Sequence, residues 1–228
     1  MGGQACILYG AAEFTRDIDL AVAVNPANLK RLQAALSDLD AESIYFPPLS
    51  SAVLRRGHAC HFRSRQSGLH RLRIDVMTRM RGVDPFARLW KRREEIRLPG
   101  VGTVAVMSLP DLVKAKKTQR DKDWPMIRRL IEADVARAAG IGDPSKAAFW
   151  LRECRSPEVL QELAQRYPTL ARRIAQRRPS LRAAMNGYAS KAAAFLRQEE
   201  DLERSRDRRY WAPLRAELER WRLGRLKG

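Results

Sequence analysis

Two carboxylates spaced two residues apart, Asp17 and Asp19, stand close behind a glycine pair, Gly2-Gly3, in the opening stretch MGGQACILYGAAEFTRDIDLAVAV. The run Leu20–Val24 after them is short, valine-rich and ended by Asn25-Pro26, a pattern that predicts a buried strand. Side chains alternate along a strand, so Asp17 and Asp19 share one face while Ile18 points into the core. Two carboxylates on one face supply hard oxygen ligands of the kind Mg²⁺ prefers. A glycine pair lets the backbone approach a phosphate closely, and a helix that follows directs its free N–H groups at that anion. Together these parts predict a site for a nucleoside triphosphate with Mg²⁺.

A third carboxylate stands in LHRLRIDVMT. There Leu72, Ile74 and Val76 face one way, and Arg71, Arg73, Asp75 and Met77 the other. Asp75 therefore lies opposite the apolar residues. It reads either as a site residue or as an ordinary carboxylate paired with a neighbouring arginine. Farther on, SLPDLVKAKKTQRDKDWPMIRRL carries Lys114, Lys116 and Lys117 on a helix capped at Ser108, with Arg120 and Asp123 behind them. Alone, that run reads as a solvated basic face with acidic partners.

Gly-Gly, a helix, Asp-x-Asp on a strand, a carboxylate on a neighbouring strand and a Lys/Arg/Asp block together resemble the nucleotidyltransferases of the DNA polymerase β superfamily. The small bacterial members, which include toxins of toxin–antitoxin pairs, are the most similar. The resemblance covers roughly the first 135 residues. It implies transfer of an NMP from an NTP to an acceptor hydroxyl of RNA, tRNA or protein, with release of pyrophosphate. Asp17, Asp19 and Asp75 would be the catalytic carboxylates and would hold two Mg²⁺ ions about 3.5–4 Å apart. Gly2, Gly3, Lys116, Arg120 and Asp123 would serve the nucleotide, with Lys117 a one-residue alternative to Lys116. A positioned cation there stabilises charge on the phosphoryl oxygens and the leaving pyrophosphate. In that family a hydrophobic strand runs into the Gly-Gly turn, and Met1 stands where it would end. The expectation is a start codon farther upstream, the other possibility being a sheet that lacks its first strand.

The elements that would position these groups follow from periodicity. Asn25 and Pro26 open a helix with Leu29, Leu32, Leu36 and Leu39 at helical spacing. Tyr45–Ser51 reads as a loop and Ala52–Arg56 as a short helix ended by Gly57. His58–Arg63 and His70–Thr78 read as an antiparallel pair around a loop at Gln66–Leu69. His58, Cys60 and His61 have no partner ligands elsewhere and read as plain strand residues. Pro99–Gly102 predicts a hairpin turn between Glu94–Leu98 and Thr103–Met107. The helix at Ser108 is predicted to reach Arg120, and another, with Ile127, Leu130, Ile131 and Val135 in its apolar stripe, to follow Asp121–Asp123. Beyond Ala139–Gly142 only helices are predicted, and Trp211, Leu214, Leu218 and Trp221 form an apolar stripe suited to core packing. The predicted fold class is α/β: a nucleotidyltransferase-type mixed sheet with flanking helices at residues 1–138, then an all-helical domain at 139–228.

The net charge of +18 divides evenly, +9 over residues 1–140 and +9 over 141–228. So strong a field attracts polyanions, though arginine standing for lysine on solvated faces, as in proteins of GC-rich genomes, gives the same count. Cys6, Cys60 and Cys154 lie far apart without a CxxC pair, which argues against a disulfide frame or zinc site and for a reducing cytoplasm. No apolar run has the length of a membrane span, and no basic segment of a signal peptide precedes the first apolar run. The alternative function is a catalytically inactive module on the same fold that binds nucleic acid or a protein partner such as an antitoxin. An antibiotic-modifying enzyme would need a carboxylate-lined cleft, and this chain is short of acids beyond the three.

Overall fold

The computed structural model describes residues 1–69, 72–138 and 143–225. It is mixed α/β, with a small sheet, many helices and a helical C-terminal region. Two compact units divide the chain: one takes Met1–Leu8, Ala12–Ala115 and the chain from Arg209 onward, the other Tyr9–Ala11 and Lys116–Arg208.

The sheet unit opens with α1 (Gly2–Leu8), β1 (Asp17–Ala21), α2 (Pro26–Asp38), β2 (Ala41–Ser43), α3 (Ser51–Arg56), β3 (Cys60–Ser64) and β4 (Arg73–Met77). The four strands lie in the order β1-β4-β3-β2, with β1 parallel to β4 and the other pairs antiparallel. One face is apolar. Cys60, Phe62, Ile74 and Val76 pack there with Leu36 of α2 and Leu54 of α3. The two helices are held by the caps their sequences supply. The Asn25 side chain accepts the Asn28 N–H at 2.8 Å, and the Ser50 hydroxyl accepts the Val53 N–H at 3.2 Å. Gly57 ends α3 at φ 103°, a left-handed conformation that glycine adopts without a Cβ clash.

Helix α4 (Phe86–Lys91) leads into a separate hairpin, β5 (Glu94–Leu98) with β6 (Gly102–Val106). The chain then enters α5 (Leu109–Lys116). Buried Asp111 ties this region together, accepting from both Nε and Nη2 of Arg92, at 2.9 and 3.0 Å, and from the Ser108 hydroxyl at 2.9 Å.

The second unit is helical: α6 (Asp123–Arg137), α7 (Pro144–Glu153), α8 (Pro157–Arg166), α9 (Pro168–Ala175), α10 (Pro179–Met185) and the first part of α11 (Ala189–Arg225). Each of α7 to α10 has proline in its first turn, where its missing N–H costs no hydrogen bond. Trp150 is fully buried and donates its indole N–H to Asp134 at 2.8 Å, which satisfies both polar groups. Within the sheet unit, the ring of Trp221 of α11 lies tilted against His58, their centroids 4.9 Å apart.

Most predicted elements form, with shifted ends. The strand predicted at 58–63 occupies Cys60–Ser64, and the one predicted at 70–78 spans Arg73–Met77, its His70 and Arg71 lying outside the described residues. The predicted break at Ala139–Gly142, on which the boundary after residue 138 rests, also lies outside them. Helix α5 stops at Lys116 instead of reaching Arg120 because the Thr118 N–H turns back to the Lys116 carbonyl at 2.8 Å. The Thr118 carbonyl is itself held by the Trp124 indole N–H at 2.9 Å. No helix among the described residues is long and apolar enough to cross a membrane.

Leu54 makes the packing of α3 testable. Its side chain is wholly inside the core, so Leu54→Ala is expected to lower the unfolding free energy by about 2–5 kcal/mol in urea titrations. Leu223→Ala, at an exposed position, is expected to change it by less than about 0.5 kcal/mol.

Candidate functional site

The face of the sheet opposite the apolar core is charged. Asp17 and Asp19 alternate with Ile18 along β1, and the parallel register sets Asp19 beside Asp75 and Asp17 beside Arg73. Registered neighbours project to the same side of a sheet. The antiparallel pairing of β3 adds His61 beside Asp75 and Arg63 beside Arg73. All three predicted carboxylates thus share one face of two adjacent strands.

Asp75 is the most enclosed of the three, only 9% exposed. Its Oδ1 accepts from Arg73 Nε at 2.8 Å and from His61 Nδ1 at 2.8 Å. A carboxylate only accepts, so His61 donates through Nδ1. Burial works to raise the pKa of Asp75, but the hydrogen bonds and charges of His61 and Arg73 outweigh it and hold the carboxyl below its ordinary value. Arg73 also lies over the Tyr45 ring, 5.8 Å from its centroid, and Tyr45 meets the His61 ring edge-on at 5.7 Å.

The glycine pair is built against β1. A Cβ on Gly2 would fall 1.8 Å from Asp19 Oδ2, and one on Gly3 would fall 2.4 Å from the Thr15 hydroxyl oxygen. Gly2 also adopts φ 63°. The Gly3 N–H points at Asp19 Oδ2 across 3.4 Å. The pair therefore brings the start of α1 onto the carboxylate of Asp19, a close approach that only residues without Cβ allow.

The remaining predicted residues gather in the helical unit around Asp123, which is 1% exposed. Its Oδ1 accepts from Lys116 Nζ at 3.0 Å, and its Oδ2 from Arg120 Nε at 2.9 Å and the Thr118 hydroxyl at 2.6 Å. Burial would raise the pKa of Asp123, but the Lys116 charge first, then Thr118 and Arg120, lowers it. Lys117 takes a different partner, Glu153, at 2.7 Å. The spacing in sequence thus brings Lys116, Arg120 and Asp123 together as one group, and separates Lys117 from it.

Two participants have no site role in the sequence reading, His61, which reads there as a plain strand residue, and Tyr45; Arg73 is the neighbouring arginine that reading offers as a partner of Asp75. The signal for Arg73 was present, since it alternates onto the face of Asp75. His61 and Tyr45 depend on strand register and a loop path that spacing does not encode. His58 is also accounted for: its Nε2 lies 2.7 Å from Glu217, so it and His61 serve different carboxylates. No protein-family model matches the chain, and no curated protein matches it significantly.

Among the described residues no group of three or more His, Cys, Asp or Glu side chains is placed to hold a metal ion. Mg²⁺ does not require one, because it binds through one or two carboxylates, waters and substrate phosphates. The register of β1 and β4 sets Asp19 beside Asp75 on one face of the sheet.

Two outcomes check these geometries. Gly2→Ala is expected to destabilise the fold by about 1–3 kcal/mol in thermal melts, because positive φ and the Asp19 clash act together. Lys116→Met is expected to cost about 1–3 kcal/mol at neutral pH by leaving Asp123 short of a partner. Asp123 has a lowered folded pKa, so its stabilisation is present above the ordinary value of 3.8 and is lost as pH falls through the folded value. The Lys116→Met penalty should therefore shrink in urea titrations run below that value. A penalty independent of pH would show that Lys116 acts by packing alone.

Proposed function

We propose that the charged sheet face binds a nucleoside triphosphate with Mg²⁺ and transfers its nucleotidyl group to an acceptor hydroxyl. The observation that carries this reading is the registration of Asp75 beside Asp19, with Asp17 on the same face. In the reaction the acceptor oxygen forms a bond to the α-phosphorus, the bond from that phosphorus to the β-phosphate oxygen breaks, and pyrophosphate leaves. Asp17 and Asp19, with Asp75, would hold Mg²⁺, which supplies neutralisation of phosphate charge and a more acidic acceptor hydroxyl.

The chain's own groups have distinct tasks. The Gly2-Gly3 approach fixes the carboxylate of Asp19 from the side of α1. His61 and Arg73 keep Asp75 ionised and oriented. Against burial, His61 and Arg73 hold the Asp75 carboxyl below its ordinary pKa, which makes it a weaker base, so Asp75 suits cation binding better than proton uptake, and the acceptor proton passes to solvent. Arg73 and Tyr45 border the same face and offer a cation and an aromatic edge to a nucleotide. Lys116 and Arg120, steadied by Asp123, have the chemistry of phosphate contacts.

The strong positive charge favours RNA or tRNA as acceptor, with protein as the other class. The resemblance to small bacterial toxins extends the proposal to a toxin restrained by an antitoxin in the cytoplasm. A second reading is a non-catalytic module that binds nucleic acid or a protein partner on the same nucleotidyltransferase-type fold. It is favoured by the two donors, Arg73 and His61, that already occupy Asp75 Oδ1.

The test is label transfer from each α-labelled NTP, with Mg²⁺, to total RNA and total cell protein. The wild type is expected to label an acceptor. Asp17→Asn, Asp19→Asn and Asp75→Asn are each expected to reduce labelling by about a hundredfold or more while the circular dichroism spectrum is kept. Undiminished labelling by these variants would place the chemistry elsewhere. Salt-dependent RNA retention with no transfer under any condition would establish the second reading.

A further inference from the structure

The helical unit carries a cavity of about 740 Å³ that is widely open to solvent, within the size range of small-ligand and cofactor sites. Seven of its lining side chains are basic and two acidic, a net charge of +5. Its two most buried cations are Arg155 and Arg178. Both lean on one carboxylate: Glu199 Oε2 lies 2.9 Å from Arg155 Nη1 and 3.1 Å from Arg178 Nη2. Arg178 is fixed further by donating to the carbonyls of Leu151 at 2.6 Å and Cys154 at 2.7 Å.

Glu153 Oε2 lies 3.8 Å from Arg155 Nη2, so Arg155 is flanked by two carboxylates, yet its hydrogen bonding is incomplete. The Arg155 Nε–H is buried with no acceptor. Burial first, and then the charge of Arg178, lowers the pKa of Arg155 against the opposing pull of Glu199, Glu153 and Glu200. Nearer solvent, Arg152, Arg173 and Arg177 line the same cavity, are exposed and have no ion pair among the described residues. A rigid pair of guanidiniums with further arginines around it matches an anion of several charges and several acceptor oxygens.

We propose that this cavity binds a phosphate-bearing polyanion, either a segment of RNA backbone or a free nucleotide or polyphosphate. The lining belongs to the helical unit and the charged face to the sheet unit, and the proposal does not depend on catalysis at that face. Binding is therefore measured on the full chain carrying Asp19→Asn, with tripolyphosphate, ATP and a short single-stranded RNA as probes at low salt. In that background Arg173→Glu/Arg177→Glu is compared with Arg129→Glu/Arg182→Glu, which makes the same charge change at exposed positions outside the lining. All four positions are on the surface, and thermal melts verify that both proteins fold.

The expected result is at least about tenfold weaker binding for the cavity variant and less than about threefold for the control. If tripolyphosphate and ATP show this pattern, the ligand is a free polyphosphate. If RNA alone shows it, the ligand is the backbone. Equal weakening by both variants would mean that diffuse charge does the binding and would overturn the proposal, as would failure of all three probes to bind.

Discussion

The parallel pairing of β1 with β4 is the constraint on which the sheet unit depends. Its register sets Ile18 beside Ile74 and Leu20 beside Val76 on one face, and Asp19 beside Asp75 on the other. A slip of one residue would exchange the faces and drive carboxylates into the core. Full burial of a side chain such as Ile74 or Val76 contributes about 1.5–3 kcal/mol, so the apolar face alone makes that slip prohibitive. The carboxylates are thereby positioned by groups that do no chemistry themselves. Gly2, Gly3, His61 and Arg73 then refine a placement that the core has already made.

Elsewhere the same physical device recurs: a buried carboxylate that collects donors from several segments. Asp111 joins Arg92 to Ser108, Asp123 joins Lys116, Thr118 and Arg120, and Asp134 joins Trp150 to Lys146. Asp207 accepts the Gln119 N–H, and half-buried Glu199 gathers Arg155, Arg178 and Ser180. Acids are the scarcer charge in this chain, 26 against 44 basic residues. Many of the buried ones are committed to structure in this way. The excess arginines consequently sit on surfaces and around the helical cavity, where they remain available to anions.

Much of this was legible in the sequence, for identifiable reasons. Proline and an Asn, Asp or Ser cap marked α2, α7 and α8 because a missing N–H and a short polar side chain have few other stable placements. Alternation placed Asp75 and Arg73 on one face because strands have a strict period of two. Lys116, Arg120 and Asp123 were assembled from local spacing. What spacing could not supply was partnership between strands: that β3 would bring His61 to Asp75 depends on register across a turn. Nor could it show that α5 would stop at Lys116, since that depends on where the Thr118 and Trp124 side chains find partners. The helical cavity was invisible for the same reason, because its lining comes from residues between Lys117 and Arg206 that have no common period.

The most direct measurement of the central claim is Mn²⁺ binding, with Mn²⁺ replacing Mg²⁺, followed by electron paramagnetic resonance with and without a non-hydrolysable NTP analogue. If the charged face of β1 and β4 is a nucleotide–metal site, the wild type will bind Mn²⁺ more tightly with the analogue present, and Asp17→Asn/Asp19→Asn will lose that gain. An identical Mn²⁺ affinity in wild type and variant, with the analogue present, would contradict the assignment of that face.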